Sequence, residues 1–387
     1  MIAQYLAQGS HPVASVRPDR ADGVVDRQPR TADPRNNGFG FLRLMLASLV
    51  IIAHAPEIAD GNKGRDPFLK AFGTITLGAF AVDCFFLISG YLVTMSLLRS
   101  PSPLSYGRKR FFRLFPGFAV AAALSVFVFA PLAGAAVADV VAGIPTLLRS
   151  VIFFQEVNVT NIFIGRPERR LNVSLWTIFY EVVCYFLIFL LANVKIFRLD
   201  HLVSLAAAMS MALFVAAPLG EWASPNTVLH ISTAWMNRAG NITRLSGYFL
   251  VGSLFYQWRN CINYTLIGTI KAFFIMYFAL QYRYLVDFGV AIGGGYIMFA
   301  FANWATDTVF SRIDRTDISY GMYLYSWPVG ALIIWYLPDT SLPAAVSITL
   351  VVASGFGWVS WHLIERPMIH GPARWREWAA KVRALIN

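Results

Sequence analysis

Charge is what this 387-residue chain has least of. Only 14% of its residues are Asp, Glu, Lys or Arg, 57% are hydrophobic, and the mean hydropathy is +0.55. Soluble domains carry about a quarter charged residues, so the balance excludes an ordinary soluble fold and implies an integral membrane protein. Cysteine is scarce too. Cys84, Cys184 and Cys261 are odd in number, follow no metal-like spacing and lie in or beside apolar segments. They read as small buried apolar residues, which excludes a disulfide framework or a zinc site. Acidic residues are outnumbered 21 to 32, for a formal net charge of +11. The basic residues sit in short loops and tails between apolar runs, a pattern of membrane topology that sets nucleic acid aside as a partner. No internal repeat is visible, so nothing suggests the inverted halves of many transporters. Residues 1–37 lack both apolar periodicity and a signal-peptide core. They read as a disordered tail, and the first apolar run is expected to remain as a membrane anchor.

What the chain does have is long apolar runs. An all-α, polytopic membrane protein is expected, with about ten spans near the length needed to cross the hydrocarbon. They fall at approximately 39–57, 73–98, 114–135, 172–193, 201–220, 243–258, 263–280, 288–305, 318–337 and 343–364. Lys271 interrupts the seventh. With the N-terminal tail cytoplasmic, inside segments hold about 20 basic residues and outside loops about 10, which places both termini inside. The strongest inside clusters are Arg99 to Arg113, without an acidic residue among them, and the tail after Glu365. The long outside loop, 136–171, contains IPTLLRSVIFF, which reads as a helix lying at the interface.

Five stretches carry possible chemistry. In FGFLRLMLASLVIIAHAP, Arg43 and His54 are eleven residues apart, so they share a helix face roughly 16 Å apart along the axis. Ionisable groups within a membrane helix are costly and usually face a protein interior or a wet cavity. Taken singly, Arg43 reads as a snorkelling anchor and His54 as an interfacial residue. Taken together on one face, they point to a pathway or a site. In GAFAVDCFFLISGYLVTMSLL, Asp83 needs a partner from another helix, and Ser89-Gly90 permits close helix approach. In YGRKRFFRLFPGF, Arg110 and Arg113 are neighbours on one face with Lys109 beside them, and Pro116 sits where the next membrane helix is expected to begin. The pair suits a bidentate grip on phosphate, and equally a plain cytoplasmic anchor. In NVSLWTIFYEVVCY, Glu181 lies half-way into its span, at a depth comparable with Asp83. Either carboxylate would orient an imidazole as general base, while Glu181 also reads as bonded to a tyrosine or to Arg244. Finally, DISYGMYLYSWP carries a run of tyrosines suited to sugar stacking, and WHLIERP closes the last span with Glu365 and Arg366 before a proline.

In this order the five stretches resemble the acyltransferase-3 family of membrane-bound sugar and polysaccharide O-acyltransferases. The resemblance runs from Phe39 to Pro367. The family's L-R…H pattern is matched by Leu42-Arg43 and His54, and its G-V-D-x-F-F-x-x-S-G motif by Ala81-Val82-Asp83-Cys84-Phe85-Phe86 with Ser89-Gly90. Its R-R-x-x-R-I-x-P motif resembles Lys109-Arg110-Phe111-Phe112-Arg113-Leu114-Phe115-Pro116, and S-L-W-T-x-x-Y-E is matched by Ser174-Leu175-Trp176-Thr177 with Tyr180-Glu181. Ser326 stands where the family commonly has a histidine, and the chain ends soon after Pro367, as a stand-alone form without an SGNH domain would.

The resemblance implies a disordered cytoplasmic tail over 1–37, a transmembrane acyltransferase domain over 38–367 and a cytoplasmic C-terminal tail over 368–387, in the inner (plasma) membrane. It implies transfer of an acyl group, acetyl by preference, from acyl-CoA to a hydroxyl of a cell-surface glycan or a lipid-linked sugar. Lys109, Arg110, Arg113 and Arg43 would bind acyl-CoA, a co-substrate and not a permanent cofactor. His54 would be the general base, with Asp83 or Glu181 fixing its tautomer and Arg43 polarising the thioester; no metal is required. A transporter or flippase using the same ionisable residues is the alternative from another class, and an inactive acyltransferase-like scaffold is the third reading.

Overall fold

The computed structural model describes residues 37–194, 198–223, 233–312, 316–369 and 371. Of the expected tails over 1–37 and 368–387, all but residues 37, 368, 369 and 371 lie outside them. Apolar runs of twenty or so residues leave the backbone of a single segment one way to satisfy its polar groups in hydrocarbon, and the regular structure of the described residues is all helical, with no strand. The helices are α1 (Phe39–Asp60), α2 (Leu77–Leu98), α3 (Pro103–Leu132), α4 (Val137–Phe153), α5 (Val173–Asn193), α6 (Leu199–Ala223), α7 (Thr233–Gln257), α8 (Leu266–Ala279), α9 (Val286–Trp304), α10 (Ser319–Tyr336) and α11 (Leu342–Ile369). A helix stands at each of the ten expected places. Among the described residues, α1, α2, α3, α5, α9 and α11 are long and apolar enough to cross a membrane, and the chain is an all-helical polytopic membrane protein. The eleventh, α4, is the amphipathic helix expected in the long loop. Its Val137, Val141, Leu148 and Ile152 are exposed.

α3 differs from expectation. It begins at Pro103, about eleven residues earlier than the apolar run, because Ser102 caps it by accepting from Ser105 N at 3.1 Å and Pro103 sits in its first turn. The basic stretch is therefore helical, and Pro116 falls inside the helix instead of at its start. The loop from α1 to α2 is pinned by buried Asp66, which accepts from Phe68 N and Leu69 N of a short helix and from Leu77 N at the head of α2. α2 and α7 touch backbone to backbone. A Cβ added at Gly90 would lie 1.8 Å from the Phe249 carbonyl oxygen, and one at Gly252 would lie 2.0 Å from that of Leu87.

Exposed apolar side chains concentrate on outward faces, such as Ile267, Ile270, Phe273, Phe274 and Tyr277 of α8 and Val351 and Trp358 of α11. A bilayer would cover such a surface. Cys84 and Cys184 are buried as expected, whereas Cys261, in the turn after α7, is exposed. Polar and charged groups turn inward, among them Glu57, Asp83, Asp287, Asp317 and Glu365, all below a tenth exposed. Buried charges persist only where they are paired, so their partners locate the functional interior.

Candidate functional site

Two chambers open inside the bundle, at opposite ends of α1. The first is walled by Arg43 of α1, Val82, Phe85 and Ser89 of α2, Arg110 and Arg113 of α3, Thr177, Glu181 and Tyr185 of α5, and Ser319, Tyr320 and Tyr323 of α10. It holds about 800 Å³ counted out to its mouth. Arg43 and Arg113 converge there on one carboxylate: Arg43 Nη1 lies 2.9 Å from Asp317 Oδ2, and Arg113 Nη2 donates to the same oxygen. Ser319 Oγ donates to the other oxygen of Asp317 at 2.6 Å. Burial alone would raise the Asp317 carboxyl, but the two guanidiniums hold it well below the usual carboxylate range. Arg113 also faces Glu365 at 3.6 Å, and Ser360 Oγ donates to that glutamate at 2.9 Å. Two cations are thus closed against two anions.

Arg110 differs. It donates to Ser96 Oγ at 3.2 Å and lies over the Tyr185 ring at 5.7 Å, with no salt bridge among the described residues. The buried Nε atoms of Arg43 and Arg110 have no hydrogen-bond partner among the described residues. Lys109 is exposed, donates to Ser100 Oγ at 3.2 Å, and does not line the chamber. Glu181 accepts from Tyr185 Oη at 2.5 Å and from Ser89 Oγ at 3.2 Å, so it belongs to this chamber and not to His54.

The second chamber is a wide bowl of about 1600 Å³ at the other end of α1, walled by His54, Glu57, Lys63, Phe154, Gln155, Arg170, Trp176, Phe179 and Tyr180. Its polar centre is one helical turn long. His54 Nδ1 lies 3.0 Å from Glu57 Oε2, while Glu57 Oε1 accepts from Arg170 at 2.6 Å and from Lys63 at 3.1 Å. A carboxylate accepting from two cations is an acceptor towards the ring as well, so Nδ1 carries a proton and the neutral ring has its lone pair on Nε2. Arg170 is braced by Glu168 at 2.8 Å and lies over the Trp327 ring at 5.1 Å. The Trp327 indole N–H donates to Arg170 O at 3.0 Å, and its ring stands edge-on to the imidazole at 5.1 Å. The imidazole is therefore held from the Nδ1 side by charge and on one flank by an aromatic edge. Nε2 points at α2, where the position of a Cβ on Gly78 would lie 3.7 Å from it.

Asp83 is not the histidine's partner. It is buried and pairs with Arg244 of α7 at 2.5 Å, while Arg244 Nε also faces Asp287 at 3.7 Å and Tyr248 Oη donates to Asp287 at 2.9 Å. The helical angle explains the difference. Gly78 faces His54, and five residues further on Asp83 is turned about 140° around α2, towards α7. Four participants carried too little signal to be singled out from sequence for these roles. Glu57 and Arg170 stood at a helix end and in a loop, while Asp317 and Glu365 read as a helix start and a helix stop. Only Glu57 had a usable signal, its spacing of three residues from His54. No group of three or more His, Cys, Asp or Glu able to hold a metal ion occurs among the described residues.

The comparisons with known proteins agree on one grouping. The family model described as an acyltransferase domain, of the acyltransferase-3 type, matches residues 36–363. The chain is similar to an O-acetyl transferase of Shigella phage Sf6, 26% identical over 338 residues, covering 86% of this chain and 96% of that protein. It is also similar to Nodulation protein 10 of Rhizobium leguminosarum bv. viciae, 27% identical over 369 residues, covering 86% and 92%. No solved structure matches it.

Proposed function

The chain belongs to the acyltransferase-3 family, and from that premise we propose that it moves an acetyl group from acetyl-CoA to a hydroxyl of a glycan or lipid-linked sugar. In this reading the N-terminal end of α1 faces the cytoplasm of the plasma (inner) membrane, as the distribution of Lys and Arg favours. The arginine chamber then receives the donor from the cytoplasm and the bowl receives the acceptor from outside. Arg110, without a carboxylate partner, is the cation suited to the donor's phosphates, since charge-assisted bonds to phosphate are strongest where no internal anion competes. Trp176, Phe179, Tyr180 and Phe154 give the bowl an aromatic wall suited to sugar faces.

His54 Nε2 takes the proton of the acceptor hydroxyl as its oxygen attacks the thioester carbonyl carbon. The C–S bond breaks, the thiolate leaves with coenzyme A, and the imidazolium returns the proton to it. Glu57 stabilises the imidazolium through Nδ1, while Arg170 and Lys63 hold Glu57 ionised and in place. Arg43 and Arg113, joined through Asp317, frame the donor chamber. Asp83 serves by locking α2 to α7, which sets the face that Gly78 presents to the histidine.

One observation carries the reading. A carboxylate-oriented histidine has its free nitrogen turned towards a helix face that, one turn on, lines the arginine chamber. The test is to incubate the purified protein in lipid nanodiscs with acetyl-CoA labelled in the acetyl group and with isolated surface glycan. Label appearing as an alkali-labile ester on sugar supports the proposal. A folded protein that transfers no label to any glycan or lipid-linked sugar fraction would return the transporter alternative.

A further inference from the structure

Between the two chambers stands a thin partition. Thr177 of α5 and Tyr323 of α10 both wall the arginine chamber, and their hydroxyls lie 2.9 Å apart. The Phe85 ring of α2 approaches the Tyr323 ring at 6.0 Å. The residue before Thr177, Trp176, already walls the bowl, and one turn beyond Tyr323 the Trp327 ring meets His54. On α2, Gly78, Val82 and Phe85 fall on one face. Phe85 and Val82 line the arginine chamber, and Gly78, one turn of about 5.4 Å further, lies beside His54 Nε2. One side of that partition is therefore formed by this face of α2, bare at Gly78. A buried hydroxyl pair and one aromatic ring close the other side.

We propose that Thr177 and Tyr323, against Phe85, form the selectivity gate for the acyl group. They admit a linear thioester arm with a small unbranched acyl group to the space between Val82, Gly78 and His54, and exclude branched acyl groups. The proposal rests on the donor assignment made above. The gate acts by width, so it discriminates between acyl groups of similar polarity and different cross-section. The hydroxyl bond sets that width by fixing the Tyr323 ring across the passage.

The test uses full-length protein in nanodiscs and two measurements. In the first, bromoacetyl-CoA probes the route itself. His54 Nε2 displaces bromide to form an N–C bond, the adduct is located by peptide mass spectrometry, and labelling is compared in wild type and Arg110→Ala. In the second, acetyl-CoA and isobutyryl-CoA are compared as donors in wild type, Tyr323→Ala, Tyr323→Phe and Thr177→Val. The wild type is expected to prefer acetyl by 10- to 200-fold or so, the range a tight pocket achieves against added carbon. Tyr323→Ala should cut that preference by about tenfold, and the two single-hydroxyl variants by about threefold, the worth of one buried hydrogen bond. If Tyr323→Ala does not accumulate, the hydroxyl variants decide alone. His54 labelling that depends on Arg110, with the donor preference unchanged in every folded variant, would overturn the gate and leave the donor assignment standing. Absence of His54 labelling in wild type would overturn the donor assignment, and the gate with it.

Discussion

The two ends of α1 use charge in opposite ways. At the arginine chamber, Arg43 and Arg113 are matched by Asp317 and Glu365, and the network is closed on itself. At the bowl, a single carboxylate, Glu57, collects His54, Lys63 and Arg170, and the surplus cation is met outside by Glu168. The closed network holds helices α1, α3, α10 and α11 together, because removing Asp317 leaves Arg43 without its carboxylate and removing Arg113 leaves Glu365 without its cation. The open one holds an imidazole in a single tautomer and leaves its other nitrogen free. The difference teaches that ionisable residues within one membrane helix need not share a task. Arg43 and His54 lie on one face, yet one is closed into an ion-pair network and the other is held by a single carboxylate, which under the proposed function makes one framework and the other reagent.

The sharpest way to break this contrast is at the imidazole. His54→Ala should lower acyl transfer by about 10²–10⁴-fold, the range for loss of a general base, with insertion and protein level intact. Glu57→Gln should approach the same loss, because an amide accepts less well from Nδ1–H and cannot stabilise the imidazolium. Acylated glycan measured at matched protein level reads both. Activity within a few-fold of wild type in His54→Ala would remove the residue from the reaction.

At the other end the loss should appear first in stability. Arg113→Ala leaves Asp317 and Glu365 under-compensated in a buried site, a type of change that costs about 3–5 kcal/mol. Thermal unfolding in detergent should show a marked fall, and Arg113→Gln combined with Asp317→Asn should be milder than the sum of the single changes. Additive losses would mean that the two residues do not act as a pair. Arg110→Ala, by contrast, should leave stability near wild type and raise the acyl-CoA concentration for half-maximal rate by about tenfold, given about 1.5–3 kcal/mol for a bond to a charged group. Equal effects on stability from Arg110 and Arg113 would erase the distinction between free and closed cations.

How much of this was legible in the sequence depends on which physical rule carried the signal. Helix positions were legible because apolar runs between basic loops leave few alternatives, and all ten expected places are helical. The start of α3 was not, since the run from Tyr106 to Arg113 looks like a charged loop until Ser102 and Pro103 are recognised as a cap. The grouping of Arg43, Arg110 and Arg113 around one cavity follows from their motifs, whereas Glu181, expected near His54 by its depth, lines that cavity instead. Their partners do not, because Asp317 and Glu365 mark helix ends that any sequence needs. Asp83 is aligned with His54 by its depth and by the packing of sequential helices, and neither fixes the angle around the helix. Glu57 was overlooked for the opposite reason. Partners were sought on other helices, and this one lay one turn away beyond Pro56.

The smallest expected effect tests how the bowl divides its work between two cations. Lys63 and Arg170 both donate to Glu57 Oε1, but they are not equivalent. The Lys63 side chain is 64% exposed, so its ion pair belongs to a class worth about 0–1 kcal/mol. Arg170 is held by Glu168, lies over Trp327 and receives the indole N–H at its carbonyl, so its guanidinium is fixed whether or not Lys63 is present. Lys63→Gln should therefore lower the maximal rate by less than about threefold, whereas Arg170→Gln should cost several times more and disturb Trp327 fluorescence where the other tryptophans are replaced by phenylalanine. The two variants are compared for rate at saturating acetyl-CoA. If Lys63→Gln is the more damaging, Glu57 is held by the exposed lysine and the buttress of Arg170 on Trp327 has no part in orienting His54.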